Sequence, residues 1–312
     1  MNIASSHLGE FVQIQEVEKK GIYRYKPFKN KEPILFCYWS YDGKVIVYGN
    51  FNKAWIMKIP SGRLLKTIEI ESKLVKSAWS NSELKIVNLF SNGTVQLIDL
   101  KNGEEEEWKL VEGEHGEASW STDGKKLAIC IDKTFYLYDM TKSPKLIMQG
   151  DITNTIRSIC WAKNNQLLVL MDQDFRVVFW SLVKKEIIYR FNLFSEKEKE
   201  LENALFEFIQ KNVETNVVAQ LREATTETMT AERLVKLNGI KPMMVIHKDS
   251  NIIACGVGNW LKLFFVNDPK HFFTRFMEDT IYDMKWVEDR LLIYTGKGKI
   301  EEYNLKNIKV SH

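Results

Sequence analysis

The chain holds few of the residue patterns that build a reactive site. Its five histidines, His7, His115, His247, His271 and His312, are scattered. They form no His-Glu-x-x-His and no Cys/His spacing that would hold zinc. Gly256-x-Gly258 and Gly296-x-Gly298 have the spacing of a phosphate-loop fragment. Each lies between two strand-like runs and opens no helix, so hairpin turns are the expectation. No Gly-x-Ser-x-Gly elbow is present. Asn92-Gly93-Thr94 has the form of a glycosylation acceptor, but it reads as a turn because no secretory leader is expected. Glu104 to Glu107 form an acidic run after a glycine turn. It reads as a solvated loop, with contact to a basic partner as the alternative. Lys19, Lys20, Arg24, Lys26, Lys29 and Lys31 are diluted by Glu16, Glu18 and Glu32, so there is no strong nucleic-acid signal. The expectation is no catalytic residue, no cofactor and no metal.

Composition agrees. The 312 residues are 45% hydrophobic and 27% charged, the balance of an ordinary globular chain. Forty-four basic against 41 acidic residues leave a net charge of +3, which makes no case for a nucleic-acid or membrane surface. No apolar run approaches the roughly 20 residues of a membrane span. Cys37, Cys130, Cys160 and Cys255 are far apart and sit in apolar runs. Buried thiols in a reducing compartment, cytoplasmic or nuclear, are expected.

The elements that would position any site follow from an internal repeat. Trp39, Trp79, Trp120, Trp161 and Trp286 each close an apolar run and open a polar turn, as in Trp39-Ser40-Tyr41-Asp42-Gly43-Lys44 and Trp120-Ser121-Thr122-Asp123-Gly124-Lys125. A further copy, Ile246-His247-Lys248-Asp249-Ser250-Asn251, lacks the tryptophan. Copies recur about every 41 residues, with one missing. A second marker (Met57, Ile98, Tyr138, Trp180, Phe264, Tyr303) runs in step. Within each period come short apolar strands such as Val45–Tyr48, Leu127–Cys130, Leu167–Leu170, Ile252–Cys255 and Leu291–Tyr294. Asn92-Gly93 is a strong hairpin signal. Four short strands in about 40 residues is the blade of a β-propeller.

The Trp-Ser-x-Asp-Gly-Lys turns, with Asp99, Asp139 and Trp180 at the Trp-Asp position, make the chain resemble the WD-repeat propeller family over about 1–194 and 240–310. No complete Gly-His dipeptide opens a repeat, so the family's usual buried hydrogen-bond tetrad is mostly absent and apolar packing between blades must supply stability. Full repeats fall at about 28–70, 71–110, 111–150, 151–194, 240–277 and 278–306. Residues 1–27 read as a partial blade that closes the ring, pairing with the tail Asn307 to Ser311. The expected fold is all-β, a single WD-repeat-like β-propeller over 1–312 with seven blades, six being the alternative.

Residues 195–239 break the period. They hold nine Glu, one Gly and no Pro, Trp or Tyr. Ser195 with Glu198 fits a capping box, and Leu201, Ala204, Leu205, Phe208 and Ile209 fall on one helical face. A helical insertion between blades is expected. Leu201, Leu205, Phe208 and Ile209 are the candidate partner-binding residues; packing on the chain's own propeller is the competing use of the same face.

Propellers of the resembling family mostly bind proteins through loops on one face. The expected function is a non-enzymatic protein–protein interaction scaffold, a subunit of a hetero-oligomeric complex with other proteins as partners. Two alternatives stand beside it. One is a propeller binding a small ligand, or acting as an enzyme, at its central channel, where first-strand stretches such as Tyr282-Asp283-Met284-Lys285 offer few suitable groups. The other is a ubiquitin-ligase substrate receptor. That role is often marked in the family by an arginine shortly after Trp-Asp, and Trp180-Ser181-Leu182-Val183 lacks it.

Overall fold

The computed structural model describes residues 2–6, 12–16, 21–25, 36–50, 52–162, 164–194, 242–247, 249–295 and 300–305. The chain forms two compact units, Met1–Ile156 and Arg157–His312.

In the first unit, β1 (Asn2–Ser6), β2 (Val12–Glu16) and β3 (Gly21–Tyr25) form a three-stranded antiparallel sheet. Three four-stranded meanders follow. The first is β4 (Phe36–Trp39), β5 (Val45–Gly49), β6 (Lys53–Lys58) and β7 (Arg63–Glu69). The second is β8 (Leu74–Trp79), β9 (Lys85–Phe90), β10 (Thr94–Asp99) and β11 (Glu105–Lys109). The third is β12 (Gly116–Trp120), β13 (Lys126–Ile131), β14 (Thr134–Asp139) and β15 (Lys145–Asp151).

Turn chemistry explains the first hairpin of the first and third meanders and the second hairpin of the second. Ser40 donates its hydroxyl to Asp42 at 2.7 Å, Asp42 accepts the Lys44 amide, and Gly43 takes a φ of 66°. Ser121, Asp123, Lys125 and Gly124 repeat this arrangement. At Asn92-Gly93 the glycine has φ 77°, and a Cβ there would lie 2.4 Å from the Leu110 carbonyl oxygen. Only glycine fits that turn.

The second strand of each meander is buried along most of its length, which is why the pattern there is a continuous apolar run rather than an alternation. One core joins Val45, Val47 and Ile56 to Trp79, Ile86 and Ile98. Another joins Val87, Leu89 and Val95 to Trp120, Leu127 and Tyr138. The tryptophans also staple successive sheets. Trp79 donates its indole N–H to the Tyr38 carbonyl at 3.1 Å, and Trp120 donates to that of Ala78 at 3.0 Å. The second meander carries a polar line across all four strands: the Ser77 hydroxyl donates to Asn88, Asn88 to Gln96, and Gln96 to Glu107.

The second unit repeats the plan. Its first meander is β16 (Ile156–Ala162), β17 (Leu167–Asp172), β18 (Arg176–Ser181) and β19 (Glu186–Asn192). Its second is β20 (Met243–His247), β21 (Ile252–Val257), β22 (Trp260–Phe265) and β23 (Asp268–Phe276). β24 (Ile281–Val287), β25 (Arg290–Thr295) and β26 (Ile300–Asn304) form a three-stranded sheet. Phe179, Leu193 and Phe194 pack with Cys255, Trp260 and Phe264. Ile252, Leu261 and Leu263 pack with Met284, Leu291 and Ile293. Trp286 donates to the Val245 carbonyl at 3.3 Å, continuing the indole staple.

Two expectations are corrected or left aside. The repeats build six blades, not the seven expected; the amino-terminal strands form a separate three-stranded sheet, because 1–27 holds no tryptophan-ended first strand of its own. The expected helical insertion at 195–239 and the pairing of the tail 307–311 lie outside the described residues, among which there is no α-helix.

Candidate functional site

The residues named from the sequence as partner-binding, Leu201, Leu205, Phe208 and Ile209, lie outside the described residues. Gly296, Gly298, His7 and His312 also lie outside the described residues; of the other candidates, several resolve into local structure. Gly258 has φ 59° in the turn joining β21 to β22, and Gly256 lies within β21. Asn92 accepts the Thr94 amide within its turn. The acidic run is strand β11: Glu107 accepts from Gln96, and Glu105 pairs with Lys66 of the neighbouring sheet. Cys130, Cys160 and Cys255 are buried, and burial pushes their thiols up, Cys160 to about 12. Thiols so raised are poor nucleophiles. Among the described residues no group of three His, Cys, Asp or Glu could hold a metal ion.

Ile246 takes the tryptophan position of the copy that lacks one, and His247 follows it where other copies have the turn serine. Its Nδ1 accepts the Ser250 amide at 3.1 Å and meets the Ser250 hydroxyl at 2.7 Å. That leaves the proton on Nε2, which donates to the Glu288 carbonyl at 2.9 Å, with Asp289 Oδ1 at 3.6 Å. Serine, histidine and aspartate are thus brought together, which sequence reasoning missed because Asp289 is about 40 residues away. The ring is buried and Nδ1 is already held by the Ser250 amide, so the arrangement fastens a turn against Trp286, whose ring lies 5.0 Å away edge to face.

The first strands carry compensated charge. In the first unit Lys76 pairs with Glu117 at 3.2 Å and lies over the Tyr38 ring at 5.4 Å. In the second, Lys285 reaches solvent, yet protein crowds it. Desolvation holds its ammonium below the ordinary lysine value, and Asp283 opposes the shift. Lys262 is a second surprise: its neighbours in strand β22 read as an ordinary alternation, yet it is buried. It donates to the Leu193 carbonyl at 2.5 Å with the Phe194 ring 5.1 Å away.

What remains open to solvent is apolar and periodic. β7, β15 and β19 begin with the aliphatic pairs Leu64-Leu65, Leu146-Ile147 and Ile187-Ile188. Each strand bulges at its pair. Leu64 faces Met57 and Lys66 faces Ile56, so Leu65 has no place in the ladder; Ile147 and Ile188 are left out in the same way. A bulge spoils the strand edge for pairing with another chain, and it turns a side chain outward. Leu65, Ile147 and Ile188 are 40–46% exposed, and Val183 in the turn before β19 is 74% exposed. In the second unit Ile188 lines a groove of about 410 Å³. Leu167, Phe179, Tyr189, Val266 and Asp268 also line it.

No protein-family model and no curated protein matches the chain. Solved structures do. A chain in a crystal structure of a mitotic checkpoint complex is similar at a TM-score of 0.68 and 12% identity, over 97% of this chain and 83% of that one. The likeness and the successive meanders show an all-β β-propeller. In all, 1683 solved chains match, and a fold so widely shared does not select a function.

Proposed function

We propose that the chain is a non-enzymatic interaction scaffold, a WD-repeat propeller subunit of a multiprotein complex. The observation that carries this reading is the set of exposed aliphatic residues in repeat register, with Ile188 lining an apolar groove. Apolar groups held outward on rigid strands suit docking of a partner's aliphatic side chain. The similar chain comes from a multiprotein complex, which accords with this use. The cysteines form no disulfide, which suits a reducing intracellular compartment. Native mass spectrometry of tagged protein purified from its own cells tests the proposal. The expected result is a complex of fixed stoichiometry that Ile188→Glu weakens at least tenfold without lowering the melting temperature. A wild-type protein that purifies as a lone monomer overturns it.

A further inference from the structure

The turn between β18 and β19 keeps a lysine where corresponding turns keep glycine. In the first meander of the first unit the Gly62 amide donates to the Lys58 carbonyl at 2.9 Å, and Gly62 has a φ of 68°. In the second the Gly103 amide donates to the Asp99 carbonyl at 2.9 Å, and Gly103 has a φ of 77°. The β18–β19 turn closes with the same bond, from the Lys185 amide to the Ser181 carbonyl at 2.8 Å, and Lys185 has a φ of 59°. A residue with a Cβ is strained in that left-handed region, whereas glycine adopts it freely. The fold therefore gives up stability to hold a lysine at this place, and backbone strain of this kind gathers at functional sites.

This turn caps the end of the meander that bears the Ile188 groove. Leu167, in the groove lining, pairs with Ser181, and Ser181 pairs in turn with Glu186. The Leu182 amide then donates to the Gln166 carbonyl at 3.0 Å, which fixes the base of the turn. Val183, Lys184 and Lys185 follow, all exposed. Arg190, also exposed, stands two residues after Ile188 on the same strand. Among the described residues the side chains of Lys184, Lys185 and Arg190 have no ion-pair or hydrogen-bond partner. The carboxylates of this region are Glu186, exposed and paired with none of the three, and Asp268 in the groove lining, which is already engaged.

Unpaired cations beside an apolar groove suit a segment that brings both an aliphatic anchor and carboxylates. We propose that this site takes a short acidic segment of a partner protein, one aliphatic side chain entering the groove at Ile188 and its carboxylates meeting Lys184, Lys185 and Arg190. The proposal rests on the reading of the groove as a docking site and adds the partner's chemistry. A groove receives a side chain rather than a flat bilayer, and its apolar lining suits no phosphate backbone. Two copies of this chain meeting groove to groove would bring like cations together.

Fluorescence anisotropy with the full chain tests the proposal, using labelled nine-residue peptides whose three central leucines are flanked by glutamates or by lysines. The glutamate peptide should bind at least about tenfold tighter than the lysine peptide, and raising the salt should weaken it. Lys185→Gly should melt at or above the wild-type temperature, because the strain is relieved, yet bind the glutamate peptide about two- to fivefold more weakly, the share of one exposed ion pair. Lys184→Glu with Lys185→Glu should reverse the preference between the two peptides. Lys101→Ser with Lys142→Ser, two exposed lysines of other turns, should leave binding unchanged. The proposal is overturned if the lysine peptide binds as tightly as the glutamate peptide, or if Lys185→Gly binds like wild type or melts below it. It also fails if the Lys101 and Lys142 pair weakens binding as much as the turn variants, since general charge would then explain the result. Phosphatidylserine vesicles that displace the peptide, or a wild-type dimer that Ile188→Ala breaks, overturn it as well. If Ile188→Glu disrupts the native complex and Lys184→Glu with Lys185→Glu does not, the groove's docking role stands and its acidic partner does not.

Discussion

Single side chains separate the groups that hold this molecule together from those that face outward. Trp120 is 3% exposed, fills the core between the second and third meanders, and donates its indole proton to Ala78. Trp120→Ala should cost about 3–5 kcal/mol in urea unfolding, the range for a large ring lost from a core. Trp120→Phe keeps a ring but strands the Ala78 carbonyl, so about 1–3 kcal/mol is expected. A Trp120→Ala protein that unfolds like wild type would remove the tryptophan marker as a guide to the core. Lys262 shows the limit of such markers. Nothing in Trp260-Leu261-Lys262-Leu263 distinguishes it from an outward lysine. It is buried because the Leu193 carbonyl and the Phe194 ring, far along the chain, receive its ammonium.

Elements are punctuated by the Ser-x-Asp-Gly turns, and the one at Asp123 gives stability a pH dependence. Partial burial pushes the Asp123 carboxyl up, but the Ser121 hydroxyl and the Lys125 amide outweigh it and hold the group below the usual aspartate range. A carboxyl lowered in the folded state adds stability that is present above its unfolded value, near pH 4, and lost as pH falls through the lower folded value. Asp123→Ala should therefore melt below wild type at pH 7, and the gap should close in the acid range below about pH 4. The carboxyl is solvent-exposed, so the effect at pH 7 should stay within about 1 kcal/mol. A gap that is the same at pH 7 and pH 3 would show that the carboxyl's charge plays no part. The bulges at Leu65, Ile147, Ile188 and Tyr282 were not legible beforehand. Register is a relation between two strands, and residue types alone do not say which residue the ladder skips.

For the whole molecule, the open question is how the amino-terminal strands serve the propeller. β1 runs beside β4 in the first unit, and its sheet has three strands. We propose that these strands cover the first repeat as a partial blade. Deleting residues 1–27 should then uncover a sheet face and its edge, giving protein that aggregates or melts lower. Size-exclusion chromatography with a melting curve checks this; a monomeric truncation that melts like wild type refutes it.

The sequence by itself determined the repeat, the all-β class, the four-strand unit and most strand positions. These rest on short-range chemistry: positive φ at Gly43, Gly93 and Gly124, the Ser–Asp turn bonds, and apolar runs that must be covered on both sides. Only the tertiary structure decided which aliphatic and aromatic groups stay outside. Leu65 and Ile56 are both apolar strand residues in one hairpin, yet Ile56 is fully buried and Leu65 faces solvent. The difference comes from place in the meander: Ile56 lies on an inner strand covered by the next sheet, while Leu65 and its ladder-paired neighbour Leu64 lie on the outermost strand, and that cover depends on residues tens of positions away.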